Sequence, residues 1–154
     1  MKFKFLPELV ETGIVAIDNV EAIHNVAKLL IQHGYVDNDY PELVLKREKE
    51  YPTGLLTKSV AIAIPHSFDE KIHGNHVAIG VLKDSVFFRN MEDVDQNINV
   101  KIIFMLAVSK AKEQLEMLKI LMEVFKNEHL LHDIACMDNR NTICEKLNAF
   151  IEEM

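Results

Sequence analysis

The residue with the clearest chemical potential in this chain is His66, which directly follows an apolar run. Residues 61–64 are Ala-Ile-Ala-Ile, and Pro65 and Ser67 flank the histidine. Small and β-branched residues in such a run predict a buried strand. Pro65 fixes its own φ and favours an extended Ile64, so a stiff backbone holds His66 at the carboxyl end of that strand. Sites gather at such strand ends in open α/β sheets, and an imidazole is a nucleophile near neutral pH.

On these residues alone, two interpretations of His66 stay open: a nucleophile, or a capping or surface histidine at a strand end. Two residues earlier in the chain, Arg47 and Thr53, give little evidence of function by themselves. Arg47 lies in the charged run 46–50, a pattern typical of a solvated helix face. Thr53 lies in a Pro-Thr-Gly turn, which either positions a reacting group or only shapes the chain.

Composition excludes several classes of function. The 154 residues, 49% hydrophobic and 27% charged, predict one globular domain over residues 1–154. A net charge of -7 argues against nucleic-acid binding, and neither common nucleotide-binding glycine motif occurs. No apolar run is long enough to span a membrane, and the first residues do not resemble a secretion signal. With no disulfide framework around Cys136 and Cys144, we expect a cytoplasmic protein.

Hydrophobic periodicity predicts helices at both ends and strands in the middle. Asp18 with Glu21 predicts one helix start, which leads to a stop at Gly34, and Asp39 predicts another. The expected strands are 60–64, 76–82 and 98–108, with a short one at 86–88, and the later helices cover 115–125, 130–134 and 143–151. This order predicts an α/β domain with a mixed β-sheet sandwiched between helices.

The remaining histidines are interpreted as surface residues. His73 with His76, and His129 with His132, have a spacing that suits a metal ion, but no cysteine or carboxylate set completes either pair. The sequence therefore predicts no metal site and no cofactor.

Several motifs together resemble one protein family. These are Arg47-Glu48, the Pro52-Thr53-Gly54 turn, the strand into Ile64-Pro65-His66, and the apolar strand 100–108 with a Leu-rich helix behind it. The chain resembles the enzyme IIA component of the fructose/mannitol superfamily of bacterial sugar phosphotransferase systems. The resemblance implies an α/β sandwich with helices on both sides of a mixed sheet.

The resemblance also implies partners and roles for four residues. In that family the histidine matching His66 takes a phosphoryl group from the phosphocarrier HPr and passes it to a cysteine of a IIB component, which serves a membrane IIC component. Arg47 matches the family's active-site arginine, whose guanidinium can hold two phosphoryl oxygens. Gln114 stands where many members have a second histidine, which is similar to the galactitol-type branch. Glutamine can donate a hydrogen bond there but cannot titrate, and an exposed helix-start residue is the alternative. Thr53 lies in the matched turn, where its hydroxyl and nearby amides would position the phosphoryl group or His66.

Three functions are compatible with this resemblance. The favoured one is a phosphotransferase of sugar or alditol uptake, with a galactitol-type system as the best match. The second is a regulatory domain of the nitrogen-related branch, which acts on protein partners and transports no sugar. The third, an interaction module without catalysis, is disfavoured because both His66 and Arg47 are present.

Overall fold

The computed structural model describes residues 2–154, which form one mixed sheet with helices on both sides. In chain order the elements are a 3-10 turn at Pro7–Leu9, then β1 Val10–Ile14, α1 Asn19–Gln32, α2 Tyr40–Glu50, β2 Gly54–Leu55, β3 Ala61–Ala63, β4 Asn75–Asn90, β5 Asp93–Val108, α3 Ala111–Lys126, α4 Glu128–Cys136 and α5 Arg140–Glu152. The predicted fold class, an α/β domain with a mixed sheet between helices, is confirmed.

A long antiparallel hairpin of β4 and β5 forms the centre of the sheet. Its register runs from Asn75 opposite Val108 to Asn90 opposite Asp93. β1 lies parallel to β4 on one side, and β3 lies parallel to β5 on the other, with β2 antiparallel to β3. Gly54 of β2 also pairs with Asn90, so the outer end of β4 lies beside β2. The separate strand predicted at 86–88 is instead the outer part of β4, beyond a shift of register.

Each face of the sheet is covered by its own set of helices. Ile102, Phe104 and Leu106 of β5 belong to the core shared with α3, α4 and α5. The intervening Ile103 and Met105 belong to the core shared with α1 and α2. The prediction that this strand is apolar on both faces is confirmed, because successive side chains of a strand point to opposite faces.

Local signals explain where the first two helices begin. The Asp18 carboxylate accepts a hydrogen bond of 2.9 Å from the Glu21 N–H, which caps α1 as predicted. Gly34 has a φ of 73° just after this helix, a left-handed conformation that glycine adopts without strain. The predicted start of α2 is also correct, but the Asp39 carboxylate binds Lys71 at 3.1 Å and does not cap the helix.

One glycine lets α1 approach the sheet closely. A Cβ atom on Gly80 of β4 would lie 2.5 Å from Val26 of α1 and 2.8 Å from Ile14 of β1. Only a residue without a side chain fits there. No helix within residues 2–154 combines the length and the apolar character that a membrane crossing requires.

Candidate functional site

His66 lies three residues beyond the end of β3, in a segment fixed from both sides. The Ile64 N–H donates to the Thr53 carbonyl over 3.3 Å, and the Leu106 N–H donates to the Pro65 carbonyl over 3.2 Å. The backbone before His66 is therefore tied to the Pro-Thr-Gly turn on one side and to β5 on the other. The imidazole itself is half-buried.

The ring of His66 has a defined orientation. Its Nδ1 lies 2.6 Å from the Ile64 carbonyl oxygen. A carbonyl oxygen only accepts hydrogen bonds, so Nδ1 carries the proton and the lone pair of the neutral ring lies on Nε2. Burial lowers the pKa of His66, and the nearby Arg47 charge adds to this effect, while the bond to Ile64 acts against it. A neutral imidazole with Nε2 unprotonated is the form that can act as a nucleophile.

Arg47 lies in the last turn of α2 and is half-buried. Its Cζ is 5.0 Å from the ring centroid of Tyr51, within the range of a cation–π interaction. Its Nε atom is buried and has no hydrogen-bond partner among residues 2–154. The solvated positions predicted for the charged run are found at Lys46, Lys49 and Glu50, which are exposed. Arg47 is instead half-buried, and Glu48 is buried.

Glu48 holds the Pro-Thr-Gly turn through its carboxylate. The Thr53 N–H donates to Oε2 over 2.8 Å, and the Thr53 hydroxyl donates to Oε1 over 2.7 Å. Glu48 is 7% exposed and Thr53 is 5% exposed, so both bonds are shielded from water. Burial raises the pKa of Glu48 to about 7, against the two hydrogen bonds from Thr53, which lower it. Both donors of Thr53 are thereby engaged, so its hydroxyl proton does not point to His66.

Tyr40, the first residue of α2, anchors the other side of the His66 segment. Its hydroxyl donates to the Leu106 carbonyl over 2.6 Å and accepts from the Ser67 N–H over 3.3 Å. The side chain is fully buried, and this burial raises the pKa of the hydroxyl, which stays protonated. Sequence reasoning missed both Tyr40 and Glu48; the available signals were a tyrosine at a helix start and the Glu that follows Arg47.

The topology of the sheet places Gln114 at the same edge as His66. β3 and β5 are parallel neighbours, so the residues that follow them lie at the same edge, with His66 after β3 and α3 after β5. Gln114 is half-buried in the first turn of α3, and its backbone N–H donates to the Lys110 carbonyl over 2.9 Å. Among residues 2–154, no hydrogen bond joins its side chain to His66.

The other histidines have different surroundings. The ring of His76 stacks on Tyr35 with centroids 3.6 Å apart and an angle of 17° between the planes. His129 is exposed on α4, and His132 on the same helix lies 3.8 Å from the Cys136 sulfur. Within residues 2–154, no group of three or more His, Cys, Asp or Glu side chains has an arrangement that could hold a metal ion.

Comparisons with known proteins identify relatives of this chain by sequence. Residues 4–150 match the family model described as "Phosphoenolpyruvate-dependent sugar phosphotransferase system, EIIA 2". The galactitol-specific EIIA component of Escherichia coli K12 is 32% identical over 114 residues, which cover 73% of this chain and 74% of that protein.

Solved structures share the fold. The mannitol enzyme IIA of E. coli, in its complex with phosphorylated enzyme IIB, has a TM-score of 0.80 at 24% identity, with 96% of this chain and 99% of that chain covered. The nitrogen regulatory protein IIA-Ntr of Neisseria meningitidis has a TM-score of 0.77 at 20% identity, with 93% and 95% covered. With nearly its whole length matched, the chain belongs to the EIIA 2 family of the phosphoenolpyruvate-dependent sugar phosphotransferase system, whose members carry phosphoryl groups in sugar transport.

Proposed function

We propose that this protein accepts a phosphoryl group from phospho-HPr on Nε2 of His66 and transfers it to a cysteine of a IIB component. The uptake system is of the galactitol type, for a sugar or an alditol, and its membrane component is a IIC protein. The observation that carries the proposal is the 2.6 Å hydrogen bond from Nδ1 to the Ile64 carbonyl, because it leaves Nε2 as the one nucleophilic atom of the ring.

In the accepting step, the lone pair of Nε2 attacks phosphorus as the bond between phosphorus and the donor nitrogen of phospho-HPr breaks. The donor imidazole keeps the electron pair of the broken bond. The proton on Nδ1 of His66 remains there, where the Ile64 carbonyl stabilises the positive charge that the ring gains on phosphorylation. In the second step, the cysteine thiolate of the IIB component attacks the same phosphorus, and the electron pair of the N–P bond returns to Nε2.

Arg47 supplies the positive charge that phosphoryl transfer needs. The transition state spreads negative charge over three equatorial oxygens, and a guanidinium holds two of them at once. No acidic side chain among the described residues forms an ion pair with its guanidinium, so incoming phosphoryl oxygens do not have to displace one. The ring of Tyr51 beside the guanidinium restricts where the fork can lie.

Gln114 and Thr53 have different roles in this proposal. The Gln114 amide donates a hydrogen bond to a phosphoryl oxygen, without the second ionisation that a histidine would bring. Thr53 acts on His66 indirectly, because both of its donors are engaged by Glu48 and its carbonyl accepts from Ile64.

Incubation with enzyme I, HPr and phosphoenolpyruvate, followed by phosphopeptide mapping, tests the proposal. We expect the label on His66 and its complete loss in His66→Ala, because removal of a covalent nucleophile eliminates the intermediate. His129→Ala, on the exposed surface of α4, is the matched control and should accept the label normally. A His66→Ala protein that is still phosphorylated elsewhere would refute the assignment.

The alternative function, a regulatory domain of the nitrogen-related branch, has the same architecture, as the likeness to IIA-Ntr shows. The 32% identity with a galactitol-specific component favours transport. Transfer from the phosphorylated protein to a galactitol IIB component separates the two functions: the transport function requires it, and a protein that only regulates partners would retain the label.

A further inference from the structure

Hydrogen bonds, linked through the backbones of Thr53 and Ile64, connect Glu48 to the ring of His66. The Glu48 carboxylate accepts both donors of Thr53, at 2.8 and 2.7 Å. The Thr53 carbonyl accepts from the Ile64 N–H at 3.3 Å, and the Ile64 carbonyl holds Nδ1 of His66 at 2.6 Å. Each group in the series is fixed by the one before it.

We propose that Glu48 is a positioning residue for His66: by fixing Thr53 and so the Ile64 peptide, it keeps the proton on Nδ1 and keeps Nε2 directed outward as the nucleophile. This inference rests on the proposed function in one respect only, the rate of phosphoryl transfer. The effect on the ring itself, its tautomer and orientation, is a property of the unphosphorylated protein.

Arg47 and Glu48 are adjacent on α2, so one turn of this helix carries both the cation for the phosphoryl group and the residue that positions the histidine. Successive residues of an α-helix point about 100° apart, since one turn takes 3.6 residues. Arg47 therefore lies on the half-buried side with Tyr51, and Glu48 lies on the side that contacts the turn.

The choice of a carboxylate is costly for folding, which favours a positioning role over a purely structural one. Glu48 is 7% exposed, and burial of a carboxylate opposes its ionisation. An apolar side chain would avoid that cost but would leave the Thr53 N–H and hydroxyl without a buried partner. A carboxylate is the side chain that accepts two donors from one residue, through Oε1 and Oε2, and so fixes both the turn and its threonine side chain.

The hydroxyl of Thr53 is fixed by the same carboxylate. Its proton is donated to Oε1 of Glu48, at 2.7 Å. Glu48 therefore fixes the side chain of Thr53 as well as its backbone, and through that backbone the position of Ile64.

The test combines ¹⁵N NMR of the histidine ring with transfer kinetics on the full chain. The ¹⁵N shifts distinguish a protonated from an unprotonated ring nitrogen. We expect wild type to show the Nδ1–H tautomer and Glu48→Ala to show a mixture of tautomers, with kcat for transfer from phospho-HPr reduced on the order of tenfold and KM unchanged. Glu50→Ala, an exposed neighbour on the same helix, is the matched control and should match wild type.

Conservative variants keep the test decisive if Glu48→Ala does not fold. Glu48→Gln retains an oxygen for the Thr53 N–H and a donor for its hydroxyl oxygen, and Thr53→Ser retains both donors, so each should keep the Nδ1–H tautomer. Thr53→Val removes one of the two bonds and should give an intermediate loss in kcat. A single Nδ1–H tautomer with wild-type kcat in a folded Glu48→Ala or in Thr53→Val would overturn the proposal. Failure of wild type to accept a phosphoryl group would refute the proposed function instead, and the tautomer measurement would still test the role of Glu48.

Discussion

Removal of the Tyr40 hydroxyl should weaken the fold measurably and the site moderately. In Tyr40→Phe the ring still fills its fully buried position, but the Leu106 carbonyl loses a bond of 2.6 Å and the Ser67 N–H loses one of 3.3 Å. A buried hydrogen bond contributes about 1 kcal/mol, and a buried group left unsatisfied costs about 1–3 kcal/mol. The two losses together should lower the free energy of unfolding by about 2–3 kcal/mol. For a domain of this size, this corresponds to a decrease in Tm of about 4–12 °C.

Thermal and urea unfolding of wild type and Tyr40→Phe measure this change. Tyr35→Phe is the control, because Tyr35 is half-buried and its ring stacks on His76. Transfer from phospho-HPr should slow by about tenfold or less, since the bond from Leu106 to Pro65 still holds the segment before His66. An unfolding free energy within about 0.5 kcal/mol of wild type would show that the hydroxyl bonds do not anchor this segment, and the reasoning would fail.

Three further predictions concern the site. Arg47→Lys should slow phosphoryl transfer by roughly tenfold to a thousandfold while Tm changes little, because an ammonium lacks the guanidinium fork; wild-type transfer kinetics would place Arg47 outside the reaction. Gln114→Leu should slow transfer by roughly tenfold, whereas Gln114→His should be tolerated and add a second ionisation to the pH–rate profile; three identical profiles would make Gln114 a surface residue. Because burial raises the pKa of Glu48 from 4.5 to about 7, the folded protein binds its proton more tightly than the unfolded chain does. The stability from this group is therefore complete below pH 4.5 and is lost as pH rises through 7, by up to about 3 kcal/mol. Urea unfolding across that range should show this loss in wild type relative to Glu48→Gln, and parallel curves would contradict it. His66, whose pKa is lowered, acts in the opposite direction in both proteins and cancels in the comparison.

The long, strongly patterned elements were predictable from sequence, and the short ones were not. The helix over 19–32 has a complete apolar face and a cap, and β5 is a long apolar run, so local pattern was sufficient. β1 was missed because Gly13, with a φ of 66°, interrupts its pattern and only the partner strand makes it regular. β2 is two residues long and is defined by its neighbours alone.

In the candidate site, too, local signals were visible in the sequence and signals that depend on the fold were not. The position of His66 after a buried strand could be predicted because the strand and its proline are local in sequence, whereas the proposal of Arg47 as a site residue required the family resemblance to outweigh its charged surroundings. Glu48 and Tyr40 were missed because their roles depend on burial and on distant partners: the Tyr40 hydroxyl binds a carbonyl 66 residues away. A polar side chain in a charged run or at a helix start looks like a surface residue until the fold encloses it.

The order of strands in the sheet has a consequence for synthesis of the chain. β1, β2 and β3 leave the ribosome first, yet β1 pairs with β4, and the short β2–β3 pair joins the sheet through β4 and β5. Translation adds about 5–20 residues per second, so the first strands wait several seconds for the central hairpin. During that interval the apolar run that leads to His66 can pair with β2 but not with β5, its neighbour on the other side. The nascent chain should therefore depend on holdase chaperones until residue 108 has emerged, and ribosome-bound chains that end before β5 should be far more sensitive to protease than chains that include it.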